Sequence, residues 1–156
     1  MTALLDAIRR IVSDLEGQGS AWALVGGLAV SARTEPRTTR DVDVAVTVHD
    51  DAAAEAMIWS LTRAGYTVAG AVEQTDTQRL ATVRLHPPSS HASGVIVDLL
   101  FASSGIEPEV VAGATRLEIV AGLELPVASI GDLIALKVLS RDDDRRPQDA
   151  GDLRML

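Results

Sequence analysis

The 156-residue sequence predicts one mixed α/β (α+β) domain, a mixed β-sheet flanked by helices with further helices at the C-terminus. Three observations carry that prediction. Stretches of helical period alternate with short strand-like runs along the chain. Apolar residues make up 47% of the sequence but aromatics only 3%, so the core must be built from Ala, Val, Leu and Ile. No repeat, low-complexity tract or linker interrupts the pattern, and the length suits one complete core spanning residues 1–156.

Residues 3–16 set Leu4, Leu5, Ile8, Ile11, Val12 and Leu15 on one helical stripe, which Gly17 and Gly19 close. Ala21–Val25 reads as a short buried strand, Gly26-Gly27 as a turn and Leu28–Ala32 as one or two helical turns. Thr34–Arg40 is a polar loop around Pro36. Val42, Val44, Val46 and Val48 then alternate with Asp41, Asp43, Ala45 and Thr47, which is strand period. Asp51–Ala64 predicts a helix closed by Gly65, followed by strands at Tyr66–Ala69 and Gln78–Leu85. Pro87–Ser93 is turn-rich, and Val95–Phe101 is an apolar strand broken by a single charge, Asp98. A short helix at Pro108–Ala112 precedes a small hairpin, Leu117–Val120 and Leu123–Val127, around Gly122. Ser129–Leu139 is a helix with Ser129 as N-cap and Asp132 at the third position, close to a capping box. The charged loop Arg141–Arg146 leads to a last helix that starts at Pro147 and is still running at Leu156.

Composition narrows the function. The net charge of −8 argues against sequence-independent binding of long duplex DNA, which needs a basic surface. With no cysteine, disulfides and thiolate metal sites are excluded. The amphipathic N-terminus carries acids inside it, so it is neither a signal nor a transit peptide, and no apolar run approaches the ~20 residues of a membrane span. The expected location is the cytoplasm. Of the cations, 13 are Arg and one, Lys137, is Lys.

The chemistry concentrates between Val25 and Val48. A backbone without side chains at Gly26 and Gly27 can approach a phosphate closely. Asp41 and Asp43, two apart on a strand, point to one face with Cα atoms roughly 7 Å apart, and hard oxygen donors at that spacing suit a divalent metal. Asp98 shares its strand face with Ile96 and Leu100. Buried without a partner it would cost several kcal/mol, so it must meet a cation, a donor or solvent. Two arrangements satisfy it: convergence with Asp41 and Asp43 if the strands are neighbours, or an ion pair with an arginine.

Thirteen residues separate Gly27 from Asp41. The order Gly26-Gly27, Asp41-Val42-Asp43 and then Asp98 in an apolar strand resembles the nucleotidyltransferase superfamily, the DNA polymerase β-like fold. More narrowly, Gly26-Gly27-Leu28-Ala29 with Arg37-Thr38-Thr39-Arg40-Asp41-Val42-Asp43 resembles the AbiEii/AbiGii toxin-type nucleotidyltransferases of type IV toxin–antitoxin systems. Asp132-Leu133-Ile134-Ala135-Leu136-Lys137 and Arg146-Pro147-Gln148-Asp149 with Asp152-Leu153 support the same likeness.

The resemblance implies a magnesium-dependent transferase that moves a nucleoside monophosphate from an NTP to an acceptor hydroxyl on RNA (tRNA in toxin-type relatives) or on a protein. It implies that Gly26 and Gly27 hold the triphosphate. Asp41, Asp43 and Asp98 would hold two Mg²⁺ ions and carry the catalysis, and Lys137 and Asp149 would lie by the nucleotide. Many superfamily members have Gly-Ser where this chain has Gly26-Gly27, as in the toxin-type branch. Arg37 and Arg40 are candidate phosphate contacts or solvated loop cations. Lys137, four residues after Leu133, is alternatively a helix-surface lysine. A cognate antitoxin or toxin partner is also implied.

Two other readings compete. One is a non-catalytic nucleotide- or partner-binding module of a toxin–antitoxin type system. The other is a small-molecule nucleotidyltransferase, whose acidic surface would suit a polycationic aminoglycoside. The remaining polar residues offer less. His49, His86 and His91 lack metal-ligand spacing, the pairs Ser89-Ser90 and Ser103-Ser104 read as turns, and Trp22 and Trp59 read as core or partly exposed aromatics. Asp142-Asp143-Asp144, among Arg141, Arg145 and Arg146, reads as a self-paired charge cluster.

Overall fold

A computed structural model of the chain describes residues 2–36, 38–88, 94–140 and 148–156, the side chains of residues 2 and 148–150 excepted. The readings placed on Arg37, Ser89-Ser90, His91, the loop Arg141–Arg146 with its three aspartates, and the side chain of Asp149 lie outside the described residues.

The elements are α1 (Thr2–Gly17), β1 (Trp22–Val25), α2 (Gly26–Arg33), β2 (Asp41–Val46), α3 (Asp51–Arg63), β3 (Thr67–Glu73), β4 (Leu80–His86), β5 (Ile96–Leu100), α4 (Glu107–Ala112), β6 (Thr115–Val120), β7 (Leu123–Val127), α5 (Ile130–Leu139) and α6 (Gln148–Met155). The seven strands form one mixed sheet in the order β3-β4-β5-β2-β1-β7-β6. β2–β5 and β1–β7 are parallel, and the other neighbours are antiparallel. The mixed α+β class expected from the sequence is therefore the class observed.

The stripe on α1 buries Ile8, Ile11 and Leu15 in the same cluster as Val42, Val44 and Val46 of β2 and Val97 and Leu99 of β5. Both faces of the sheet centre are covered: Val44 and Ala45, adjacent and opposite in direction, are both fully buried. α3 starts under the Asp50 carboxylate, which accepts from the Ala53 amide at 2.8 Å. The loop after α3 is tied to α1, where the Tyr66 hydroxyl donates to Asp14 and Arg10 donates to the Ala64 carbonyl. Ser129 caps α5 by accepting from the Asp132 amide at 3.1 Å. Its hydroxyl donates in turn to the Asp132 carboxylate, in place of the backbone return of a full capping box.

Two local expectations change. Gly26 and Gly27 are the first residues of α2, not a turn ahead of it. β3 continues to Glu73, four residues beyond the expected Ala69, as a wholly exposed edge strand. The expected hairpin around Gly122 is present as β6–β7, and β7 also joins β1 and so extends the sheet. Arg33, at the end of α2, fastens that join by donating to the carbonyls of Val127 and Ala128 and to the Thr115 hydroxyl. Of the two tryptophans Trp22 is buried and Trp59 is exposed.

Candidate active site

The strand pairings assemble the acidic residues. β1 is antiparallel to β2, so its last residue, Val25, stands opposite Asp43, and the chain enters α2 at once. On the other side of β2, β5 runs parallel and sets Asp98 opposite Asp43. β4 follows, antiparallel, with Arg84 opposite Asp98. Asp43, Asp98 and Arg84 thus form a row across three neighbouring strands, and residues in register share a face. Asp41, two residues before Asp43, lies on that same face.

Gly26 has φ +63°, the left-handed region that favours glycine. A Cβ there would also run into the Asp43 carboxylate. The α2 start is therefore pressed against Asp43 as only a glycine backbone allows. The N-cap residue is Val25, which makes no side-chain cap hydrogen bond. Such a helix start favours an anion through its first-turn N–H groups and its dipole.

Both arrangements foreseen for Asp98 occur together. It neighbours Asp43, and it is also in a two-pronged pair with Arg84, Nε to Oδ1 at 2.9 Å and Nη2 to Oδ2 at 2.7 Å. The Asp98 side chain is 11% exposed and that of Arg84 49%. The guanidinium is held well above the ordinary arginine range, first by its hydrogen bond to Asp98, against the opposing effect of burial. The negative charges of Asp98, Asp41 and Asp43 add to that effect. Arg84 is a site residue that sequence reasoning did not single out.

Asp43, Asp98 and Arg84 line a cleft of about 740 Å³, whose other walls include β3, Ser103, Ser104, Leu136 of α5 and Ser140 just after it. That volume is in the range of small-molecule sites. The Ser103-Ser104 turn is shaped by a buried acid. Glu107 Oε1 accepts from the Ser103 hydroxyl (2.7 Å), the Ser104 amide (2.8 Å) and the Ser104 hydroxyl (2.9 Å), and Oε2 accepts from the Gly105 amide (2.9 Å). Burial pushes this carboxyl up, but the hydrogen bonds from Ser103 and Ser104 outweigh it, and it sits below its ordinary value of 4.5. A lowered folded-state value means that the contribution to stability is present above the unfolded value and is lost as pH falls through the folded one. Glu107→Gln turns an amide N–H₂ or a weaker acceptor toward these donors. It is expected to cost about 1–3 kcal/mol near neutral pH, with the gap to wild type closing in acid. Urea unfolding at the two pH values checks this.

Lys137 is not a surface lysine. It is 8% exposed and its Nζ lies 2.6 Å from an Asp152 oxygen that is itself buried, so the pair bridges α5 and α6. Sequence reasoning named Asp149 as the acidic site residue of this segment, and the acid seen against Lys137 is Asp152, one turn later. Arg40 is exposed, immediately before Asp41. Of the predicted residues, the structure brings Gly26, Asp41, Asp43 and Asp98 together, with Gly27 one residue into α2. It sets Lys137 in a buried ion pair with Asp152.

The donor chemistry suits a divalent cation at Asp41 and Asp43, two half-buried carboxylates at the mouth of the sheet. Among the described residues no group of three or more His, Asp or Glu is arranged to hold a metal ion, and Asp98 has both oxygens on Arg84.

A mixed sheet with paired carboxylates beside a glycine helix start is the architecture of nucleotidyltransferases. The family model described as "Nucleotidyl transferase AbiEii toxin, Type IV TA system" matches residues 10–156, and the chain belongs to that family. Among solved structures, the lincosamide antibiotic adenylyltransferase LnuA, solved with lincomycin bound, is 15% identical with a TM-score of 0.60, covering 96% of this chain and 93% of that one. The antibiotic-resistance factor ANT(2'')-Ia is 18% identical with a TM-score of 0.62, covering 99% and 82%. A nucleotidyltransferase-like protein from Paracoccidioides brasiliensis is 20% identical with a TM-score of 0.53, covering 96% and 75%. At these identities the likeness concerns the fold. No curated protein matches the chain significantly.

Proposed function

We propose that this protein is a Mg²⁺-dependent nucleotidyltransferase that moves a nucleoside monophosphate from an NTP to an acceptor hydroxyl on RNA, such as tRNA, or on a protein. The observation that carries the reading is the placement of Asp43 against the Gly26 start of α2, with Asp41 on the same strand face and Asp98 in register beside Asp43.

In this reading Asp41 and Asp43 hold the cation, and the first amides of α2 at Gly26 and Gly27 receive the triphosphate. When bound, the metal neutralises phosphate charge and lowers the acceptor hydroxyl's pKa. The cleft beside Asp43 holds the acceptor so that its oxygen is in line with the α-phosphate. The new O–P bond forms as the bond to pyrophosphate breaks. Arg40 directly precedes Asp41 in sequence and Arg37 stands four residues before it, and in this reading the two balance the leaving charge. Lys137 and Asp149 lie by the nucleotide in this reading, and Asp152 of α6 pairs with the lysine.

A second acceptor class has its own support. The cleft of about 740 Å³ has three carboxylates in its wall, Asp43, Glu73 and Asp98, the chain carries a net charge of −8, and two proteins of like fold act in antibiotic resistance or adenylylation. A polycationic small molecule with a free hydroxyl fits that wall.

The test uses NTPs labelled at the α-phosphate with Mg²⁺ and, separately, total RNA, cell lysate or an aminoglycoside. Wild type runs beside Asp41→Ala/Asp43→Ala. Label transfer that disappears in the double variant supports the reading, and the labelled species names the acceptor class. No transfer from any of the four NTPs by folded protein turns the conclusion to a nucleotide- or partner-binding module.

A further inference from the structure

Glu107 is fully buried at the start of α4 and takes no part in the transfer chemistry. Its carboxylate is held by one turn, through the hydroxyls of Ser103 and Ser104 and the amides of Ser104 and Gly105. Burial pushes the carboxyl up, yet these bonds hold it below its ordinary value, so near neutral pH it is ionised. An ionised carboxyl accepts and never donates. Both serine protons therefore lie on Glu107 Oε1, at O–O distances of 2.7 and 2.9 Å. A hydroxyl has one proton to give. With that proton committed, each serine oxygen offers only lone pairs to a third group. The amides of Ser104 and Gly105 are committed in the same way, so neither is left for an anion.

Ser103 and Ser104 line the cleft of about 740 Å³ together with the acids Asp43, Glu73 and Asp98. The cation in that lining, Arg84, is in the two-pronged pair with Asp98. This wall presents acceptors and negative charge. A phosphate or carboxylate brought to the two serine oxygens would meet lone pairs with no proton between them. An ammonium carries three N–H donors and no acceptor, which is the complementary group. We propose that Ser103 and Ser104 form a subsite for a protonated amine of a small acceptor molecule, and that Glu107 is the positioning residue that fixes the polarity of that subsite. The inference rests on the transfer reading above, with the cleft as its acceptor site. It adds the residues that sort acceptors there: an amine is held, and a backbone phosphate is turned away.

The experiment is a calorimetric titration of the full chain with spermine, at about 150 mM salt so that diffuse attraction to the acidic chain is screened. Wild type is expected to bind one spermine. Ser103→Ala/Ser104→Ala leaves every charge in place and should weaken it about tenfold or more. Glu107→Gln keeps both serines but not the carboxylate that fixes their protons, and should weaken it at least about threefold. Each NTP with Mg²⁺ is titrated in parallel, and the NTP that binds wild type should bind the variants equally well, which a merely structural loss would not give. Thermal melting shows which variants are folded, and the serine pair decides the matter if Glu107→Gln is not. Spermine that wild type does not bind, or that binds wild type and the serine variant alike, overturns the inference and leaves the transfer reading to its own label assay. A short RNA oligonucleotide that loses affinity in the serine variant while spermine does not overturns it as well. No NTP binding by wild type overturns the transfer reading and, with it, the acceptor role of the amine subsite.

Discussion

Gly26→Ala is expected to reduce nucleotidyl transfer by about 100-fold or more while costing only about 1–3 kcal/mol of stability. Two physical effects act at this residue. The first is backbone strain: φ is +63°, and an L side chain in the left-handed region costs about 1–2 kcal/mol. The second is a collision, since the new Cβ would meet the Asp43 carboxylate. Relief requires either the start of α2 or Asp43 to move. Displacements of about 1 Å in a positioned site cost on the order of 100-fold in rate. Gly122→Ala isolates the first effect, because Gly122 has φ +77° and open space around it. Thermal melts of the two variants should differ little, and label transfer should differ greatly. Equal transfer by both would remove Gly26 from the site.

The features that were legible in the sequence are those that one segment encodes alone. Alternation of Val42, Val44 and Val46 with Asp41, Asp43 and Ala45 marks β2 and also states which face carries the acids. The stripe on α1 and the Ser129 cap of α5 are equally local. Arg84 was not legible, although it grips Asp98. Within β4 it occupies an ordinary solvent-facing position between buried Val83 and Leu85. Its partner lies 14 residues away, and only the β4–β5 register makes them opposite. Register depends on the pairing of strands, and neither strand states it alone. The same reason hid the joining of β7 to β1, where Leu24 stands opposite Val127. β3 was read short because Gly70 and its small neighbours carry no burial signal and the strand is exposed on both faces. Asp149 and Asp152 differ by nearly one helical turn, so choosing the acid that meets Lys137 requires knowing how α6 lies on α5.

The Lys137–Asp152 pair carries the largest expected effect on stability. With side chains 11% and 2% exposed, each charge relies on protein partners for what water would otherwise supply. Removing one residue takes a 2.6 Å ion pair away from a buried charge, so Lys137→Met and Asp152→Leu are each expected to cost about 3–5 kcal/mol. Replacing both is another matter. A buried ion pair exchanged for apolar residues of similar volume is often neutral, so Lys137→Met/Asp152→Leu should recover most of that loss. Urea unfolding of the four proteins gives the coupling directly. The double variant also separates two roles that the single variants confound. If the pair serves only to join α5 to α6, the refolded double variant transfers nucleotide at close to the wild-type rate. If the lysine also holds charge at the nucleotide, stability returns while transfer stays low, and raising the NTP concentration recovers part of the rate. Lys137 is the only lysine in a chain with 13 arginines, and it stands one residue from Leu136 at the cleft wall.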